Sequence, residues 1–175
     1  MLIKVILALV VAIAIVLIYA STRPDTFSIE RSAVMNAAPD KVFAQINDLH
    51  NWAAWSAWEK KDPNMKKTFS GAAAGKGAVY GWEGNGNVGK GSMEITESIP
   101  ASKVQIKLDF ISPFEGHNVA NLELQPEGTG TRVVWSMSGP MALIPKVMGL
   151  FFSMDKMIGK DFEDSLANLK QIVEK

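Results

Sequence analysis

The chain has 175 residues, which is enough for one membrane segment and one compact domain of about 150 residues. Its 18 basic side chains are balanced by 18 acidic ones, and this balance argues against nucleic-acid binding, which requires a basic face. Because no cysteine is present, disulfides, thiolate metal sites and a cysteine nucleophile are excluded.

The N-terminal segment 1–20 is predicted to be a transmembrane anchor that contacts the membrane through residues 2–20. Residues 5–20 are an uninterrupted apolar run that spans roughly 24 Å as a helix, close to the ~30 Å of a bilayer core. A cleaved signal peptide is the alternative. Its apolar run is usually about 7–15 residues and its cleavage site needs small residues, whereas Ile18 stands two positions before Ala20. We therefore expect a single-pass membrane protein.

A polar linker and a single domain are predicted to follow the anchor. Residues 21–26 include a proline and are typical of a juxtamembrane spacer, and residues 27–175 form the domain. Lys4 lies before the apolar run, while the charges of Arg23 and Asp25 after it cancel. By the positive-inside rule this distribution favours a cytoplasmic N-terminus and an extracytoplasmic domain.

The first part of the domain is predicted to contain one strand and short helical segments. FSIERSAVMN (27–36) has the pattern of a strand, and Pro39 marks the start of a helix. NWAAWSAWEK (51–60) follows and places three tryptophans at i, i+3 and i+6, on one side of a helical turn.

The middle of the chain changes to a period of two, which predicts strands. Six strand-like runs are separated by glycine, proline and asparagine turns; they are MKKTFSG, GAVYGWEG, GKGSMEITESI, SKVQIKLDFI, HNVANLELQ and TRVVWSMSG. Short sequential connections indicate an antiparallel meander, and the alternation of apolar and polar residues predicts one buried and one solvated face.

The C-terminal segment changes to a helical period. Apolar side chains at spacings of three and four form one stripe, made of Phe151, Met154, Ile158, Phe162, Leu166, Leu169 and Val173. The whole order of elements predicts an α+β domain in which a curved antiparallel sheet grips the last helix, with space for a ligand between sheet and helix.

Motifs for nucleotide, metal or triad chemistry are missing or stand in the wrong context. GNGNVG (84–89) matches G-x-G-x-x-G, but a strand pattern follows it, whereas a dinucleotide site needs a helix there. His50 and His117 are the only histidines and lack partners at metal or triad spacing, and His117 is predicted to point away from the buried face. We expect no cofactor and no metal.

The three clustered tryptophans have three possible explanations: core packing, a wedge into a lipid surface, or the wall of a ligand site. The wedge is disfavoured because no extended apolar face lies beyond the indoles. We expect Trp52 or Trp58 to be buried in the core and Trp55 to lie at the rim of a ligand cavity.

The apolar run MALIPKVMGLFF (141–152) either lines the mouth of a pocket or lies near the membrane surface. Five of the nine methionines are spread across the last strand and the start of the last helix; they are Met137, Met141, Met148, Met154 and Met157. Thioethers suit variable apolar ligands, although ordinary core filling is the alternative.

A resemblance to a known family rests on six segments, of which WAAWSAWEKKDPNM and MDKMIGKDFEDSLANLK are the most specific. Over about residues 27–174 the chain resembles the SRPBCC superfamily, the START and birch-pollen-allergen helix-grip group, in its polyketide cyclase/dehydrase and lipid-transport-like branch. The resemblance implies a seven-stranded antiparallel sheet around a long C-terminal helix, enclosing an apolar cavity for lipids, sterols or polyketides. Ala57 stands where a proline is usual after the serine of the tryptophan segment. No catalytic set of the family matches residue by residue.

The predicted function is that of a membrane-tethered domain which binds an apolar small molecule or lipid in this cavity. The predicted ligand-binding residues are Trp55, Trp82, Met93, Phe110, Trp135, Met137, Phe151, Met154 and Ile158. One alternative is a cyclase- or dehydratase-like enzyme that uses a buried group such as Tyr80 or Glu97. Another is an interaction or regulatory domain with a filled core and no ligand.

Overall fold

Five α-helices, one 3₁₀ helix and seven strands follow one another along residues 1–175 of the computed structural model. The helices are α1 (Leu2–Ser21), α2 (Pro39–Ile46), a 3₁₀ helix (Leu49–Ala54), α3 (Ala57–Lys61), α4 (Leu143–Met148) and α5 (Met154–Val173). The strands are β1 (Thr26–Met35), β2 (Lys66–Gly71), β3 (Ala78–Glu83), β4 (Lys90–Ile99), β5 (Lys103–Ser112), β6 (Gly116–Glu127) and β7 (Gly130–Pro140).

All seven strands form one antiparallel sheet in the order β1-β7-β6-β5-β4-β3-β2. Strands β2 to β7 are the predicted meander, and β1 joins it by pairing with β7, so that Ile29 lies opposite Met137. The backbone of α5 approaches that of β1, α2 and α3. The predicted α+β helix-grip architecture with a seven-stranded sheet is therefore confirmed.

The alternation within each strand decides which side chains reach the core between the sheet and α5. In β7 the buried residues are Thr131, Val133, Trp135 and Met137, and the residues between them are partly exposed. Leu122 of β6 lies directly opposite Trp135 and is also buried, which continues the same inner face across the sheet. Such pleated, half-buried strands favour β-branched and aromatic side chains.

Helix α5 begins later than the apolar stripe predicts. The Ser153 side chain accepts a hydrogen bond from the backbone N–H of Lys156 and caps the helix, so α5 starts at Met154. The prediction that Phe151 belongs to this helix is wrong. Phe151 lies in the turn after α4, with 69% of its surface exposed.

The tryptophan segment is divided between two short helices. The 3₁₀ helix ends at Ala54 and α3 begins at Ala57, with Trp55 between them, so the three indoles do not share one helical face. Helix α5 holds this break in place. The Ala57 N–H donates to Ser165 Oγ at 2.9 Å, and Asn168 Nδ2 donates to the Trp55 carbonyl at 3.0 Å.

Helix α1 is long and apolar enough to cross a membrane. Its side chains are exposed along almost its whole length, and only Val16 and Ala20 are covered to any extent. Its backbone approaches that of α4, so the covered residues mark the contact between the last turns of α1 and α4. None of the residues of the domain's hydrophobic core belongs to α1.

Candidate ligand-binding site

Five aromatic rings fill the space between β7 and the middle of α5. Trp135 stacks on Phe162 with ring centroids 4.2 Å apart and an interplanar angle of 6°, and Trp58 meets both rings edge-on at 6.0 Å. Trp55 lies 4.5 Å from Trp52 and 5.7 Å from Trp135. Each such pair adds about 0.5–1.5 kcal/mol to the free energy gained from burial. This part of the interior is filled by the protein itself.

Hydrogen bonding in the aromatic cluster is incomplete. The indole nitrogen of Trp52 donates to the Ile46 carbonyl at 3.1 Å, whereas the indole nitrogens of Trp55 and Trp135 are buried and meet no acceptor. A buried donor without an acceptor costs about 1–3 kcal/mol. The cluster is therefore stabilised by apolar packing, although two of its buried indole N–H groups have no hydrogen-bond acceptor.

The expected rim position of Trp55 does not match the structure, because its side chain is wholly buried at the centre of the cluster. The expectation that Trp52 or Trp58 is buried in the core is confirmed by Trp52, with 6% of its surface exposed, whereas Trp58 is partly buried. The predicted ligand residues Trp135 and Met137 also lie in this buried region, at 3% and 5% exposure. Their contact with a ligand stays a prediction.

A second group of predicted residues lies on the inner face of β3, β4 and β5. Trp82 and Phe110 meet edge-on with centroids 5.7 Å apart, and Met93 pairs across the sheet with Leu108. Gly91 makes room for the indole of Trp82, since a Cβ atom at this glycine would stand 2.4 Å from the ring. Three of these side chains, Trp82, Leu108 and Phe110, are only partly buried.

Apolar side chains at the start of helix α5 are also incompletely covered. Met154 and Ile158 of its first turns are only partly buried. The first turns of α5 and the ends of β3 and β5 lie at the end of the sheet where α1 joins the domain. We call the buried and partly buried apolar residues at this end of the sheet and of α5 the groove; they are Trp82, Met93, Leu108, Phe110, Met154 and Ile158.

Two concavities of the surface lie outside the groove residues. One adjoins His50 and Phe69, whose rings stack at 4.1 Å beside the β2–β3 hairpin, and another adjoins Phe27 and His117 on β1, β6 and β7. His117 is exposed, in agreement with its predicted orientation, and its Nδ1–H donates a hydrogen bond to Asp109 Oδ1 at 2.7 Å. Nowhere do three His, Asp or Glu side chains converge as a metal site.

A polar cluster lies beside the apolar residues of β3. The Tyr80 hydroxyl donates to Glu59 Oε1 at 3.0 Å, and the ammonium of Lys67 forms an ion pair with the other oxygen of Glu59. Burial raises the pKa of Tyr80 well above its ordinary value, and the negative charge of Glu59 raises it further. The phenol therefore stays protonated at neutral pH and acts as a hydrogen-bond donor rather than a base.

Sequence reasoning named Tyr80 but missed its partners Glu59 and Lys67. Lys67 lies opposite Trp82 in the β2–β3 pairing and so shares its face, which strand parity alone could have indicated. Glu59 comes from α3 and has no comparable signal. Glu97, the other named candidate, is partly exposed and forms an ion pair with Lys103.

Solved structures with the same fold are distant in sequence. Protein CV1439 from Chromobacterium violaceum is 18% identical, with a TM-score of 0.60 over 87% of this chain and 99% of that chain. The Aha1 dimer protein from Colwellia psychrerythraea is 18% identical, with a TM-score of 0.58 over 85% of this chain and 96% of that chain. The di-domain ARO/CYC StfQ of the steffimycin biosynthetic pathway is 8% identical, with a TM-score of 0.61 over 85% of this chain and 51% of that chain.

At these identities the solved structures show a shared fold. A search of curated proteins found no match. Residues 26–174 match the family described as polyketide cyclase/dehydrase and lipid transport, which covers nearly the whole chain beyond α1. The chain belongs to this polyketide cyclase/dehydrase and lipid transport family.

Proposed function

We propose that the domain binds an apolar small molecule or lipid in the groove and that α1 tethers it to a membrane. One observation carries the proposal: apolar side chains of the inner sheet face, Trp82, Leu108 and Phe110, remain only partly buried, as do Met154 and Ile158 at the start of α5. Apolar side chains that are left uncovered together at one end of a domain are typical of ligand-binding grooves. The family to which the chain belongs includes lipid-transport members, and this membership supports the same conclusion.

Affinity would come chiefly from covering this apolar surface. A ligand that covers ~200 Å² of it gains about 5 kcal/mol from burial before the cost of association. Tyr80 points to the inner face from β3 and is hydrogen-bonded to Glu59 of α3. The pair supplies a polar group that can orient one end of the ligand. An elongated molecule with one polar end fits both features.

Ligand extraction and probe binding test the proposal. We expect residues 24–175, expressed without α1, to retain an apolar compound detectable by mass spectrometry of an organic extract. We also expect the domain to bind a fluorescent fatty-acid or sterol analogue. Empty protein that fails to bind either class of probe would contradict the proposal.

A matched pair of neighbouring variants locates the binding surface. Phe110 faces the groove. The next residue, Ile111, lies on the opposite face of β5 and is 58% exposed. Phe110→Ser should weaken probe binding about tenfold, because the ligand loses apolar contact worth about 1.4 kcal/mol. Ile111→Ser should leave binding within about twofold of the wild type. Equal effects of both substitutions would place the ligand elsewhere.

The filled aromatic cluster favours one second candidate, an interaction or regulatory domain without a ligand. Trp55, Trp135 and Phe162 already occupy the interior that a deep cavity would need. This alternative predicts an empty extract and no binding of either probe, so the same experiments separate the two functions.

A further inference from the structure

Exposed apolar side chains gather at the end of the domain where α1 joins it. Outside α1, only Val34, Phe69 and Ile99 are large, apolar, exposed and distant from this end. The others come mainly from the β5–β6 connection and from α4 with its following turn. We call six of them, all 47% exposed or more, the collar: Ile111, Phe114, Leu143, Ile144, Phe151 and Phe152.

Several contacts fix α4 against the end of α1. Thr26, the first residue of β1, pairs with Pro140 at the end of β7, so the chain leaves α1 and enters α4 at the same end of the sheet. The Met141 N–H donates to the Asp25 carbonyl at 2.7 Å. The ammonium of Lys146, which is only 6% exposed, forms an ion pair with the Asp25 carboxylate. Helix α4 is therefore fixed to the linker that connects α1 with β1.

The end of α1 carries the features of a membrane–water interface. Its apolar run ends at Ala20, and Arg23 donates a hydrogen bond to the Tyr19 hydroxyl at 2.7 Å while lying over the Tyr19 ring. Tyrosine and arginine are typical of this level of a bilayer. Since α4 packs against the last turns of α1, α4 lies at the same level.

The composition of the α4 segment suits that position. Residues 138–154 contain no aspartate or glutamate, and Lys146, their one charged residue, is buried and paired. Apolar side chains point outward from the short helix and from the turn that follows it. A segment with an exposed apolar face and no acidic group is suited to the boundary between headgroups and acyl chains.

We propose that the collar docks on the lipid bilayer, with α4 and the following turn lying in the headgroup–acyl boundary. The proposal rests on the membrane tether proposed above and extends it to a second contact. The groove residues of β3 and β5 lie at the same end of the sheet as the collar, so docking of the collar would bring them close to the bilayer surface. An apolar ligand then exchanges directly with lipid, without crossing water.

The absence of native cysteine makes a site-specific test straightforward. Single variants of the full chain, each labelled with a thiol-reactive fluorophore, are reconstituted in phosphatidylcholine vesicles that contain an acyl-chain spin-labelled quencher. Ile144→Cys and Phe151→Cys report on the collar. Ala73→Cys, exposed in the β2–β3 connection at the opposite end of the sheet, is the control, and Val10→Cys in α1 reports on the tether. Iodide in the buffer measures exposure to water.

Lipid quenching at positions 144 and 151 should exceed that at position 73 by about threefold, and iodide quenching should show the reverse order. If position 10 is quenched by lipid while positions 144 and 151 behave like position 73, the tether stands and the docking proposal is overturned. If position 10 is not quenched either, the tether itself fails and the docking proposal fails with it. Protection of position 151 from both quenchers would mean that protein covers the collar, as in a dimer, and would also overturn the proposal.

Discussion

Replacing Phe162 by alanine tests whether the interior beneath α5 is packed or hollow. The ring is 2% exposed, stacks on Trp135 at 4.2 Å and meets Trp58 edge-on at 6.0 Å. Losing the buried ring costs about 2 kcal/mol in transfer free energy. A residual cavity on the order of 100 Å³ adds about 2 kcal/mol more, at ~24 cal/mol per Å³. Phe162→Ala should therefore lower the free energy of unfolding by about 4 kcal/mol.

Urea denaturation of residues 24–175, followed by circular dichroism, measures this difference. Phe152→Ala is the matched control, since Phe152 is 63% exposed and its truncation should change the free energy of unfolding by about 0.5 kcal/mol or less. If a ligand-sized chamber already adjoined the ring, the cavity contribution would vanish. A loss of only about 2 kcal/mol in Phe162→Ala would thus refute the packed interior described here.

Two further predictions concern titratable groups of the domain. Tyr80 is the only tyrosine in residues 24–175, so phenolate absorbance of that domain reads it directly. Its midpoint should lie well above the ordinary pKa of 10.0, and stability should fall as pH rises above 10.0, where only the unfolded phenol ionises. A midpoint at or below 10.0 would contradict the buried contact with Glu59. For His117, the hydrogen bond to Asp109 raises the pKa above 6.5, and its contribution to stability is complete below pH 6.5 and lost as pH rises through the folded pKa. NMR titration should show this raised pKa, and Asp109→Asn should bring it back toward 6.5; an unchanged pKa in that variant would exclude Asp109 as the cause.

Strand parity predicted most of the inner sheet face. Trp135 and Met137 alternate with polar residues, and the structure buries both at 3% and 5% exposure. Period-two alternation is a local rule that needs no knowledge of distant residues. For the same reason the meander and the outward orientation of His117 followed from the sequence alone.

The position of Trp55 depended on contacts that the local pattern does not contain. Its i, i+3, i+6 relation to the neighbouring tryptophans suggested one helical face, yet Ser165 and Asn168 of α5 bind the backbone where the 3₁₀ helix and α3 meet. These partners are more than one hundred residues away in sequence. Trp55 is therefore turned into the core, and the rim of the groove is formed by other side chains.

Capping and long-range pairing account for the remaining differences. Ser153 caps the N-terminus of α5, so the helix starts after Phe151, although the apolar spacing of three and four includes Phe151. The partnership of Tyr80 with Glu59 joins β3 to α3 across a sheet face, so neither segment reveals it separately. Periodicity identifies elements and faces, whereas side-chain hydrogen bonds decide where elements end and which polar groups meet.

The two halves of α5 have different tasks, and one ion-pair cluster connects them. Phe162 and Leu166 pack the middle of the helix into the hydrophobic core, whereas the first turns contribute Met154 and Ile158 to the groove. Arg31 of β1 binds Asp155 in the first turn at 3.0 Å and Glu163 two turns later at 2.7 Å. The guanidinium passes over Gly159, where a Cβ atom would stand 2.1 Å from it.

This arrangement makes β1 the support that positions the start of α5. Because β1 also begins directly after the linker from α1, the strand that follows α1 in the chain is the one that holds the first turn of α5.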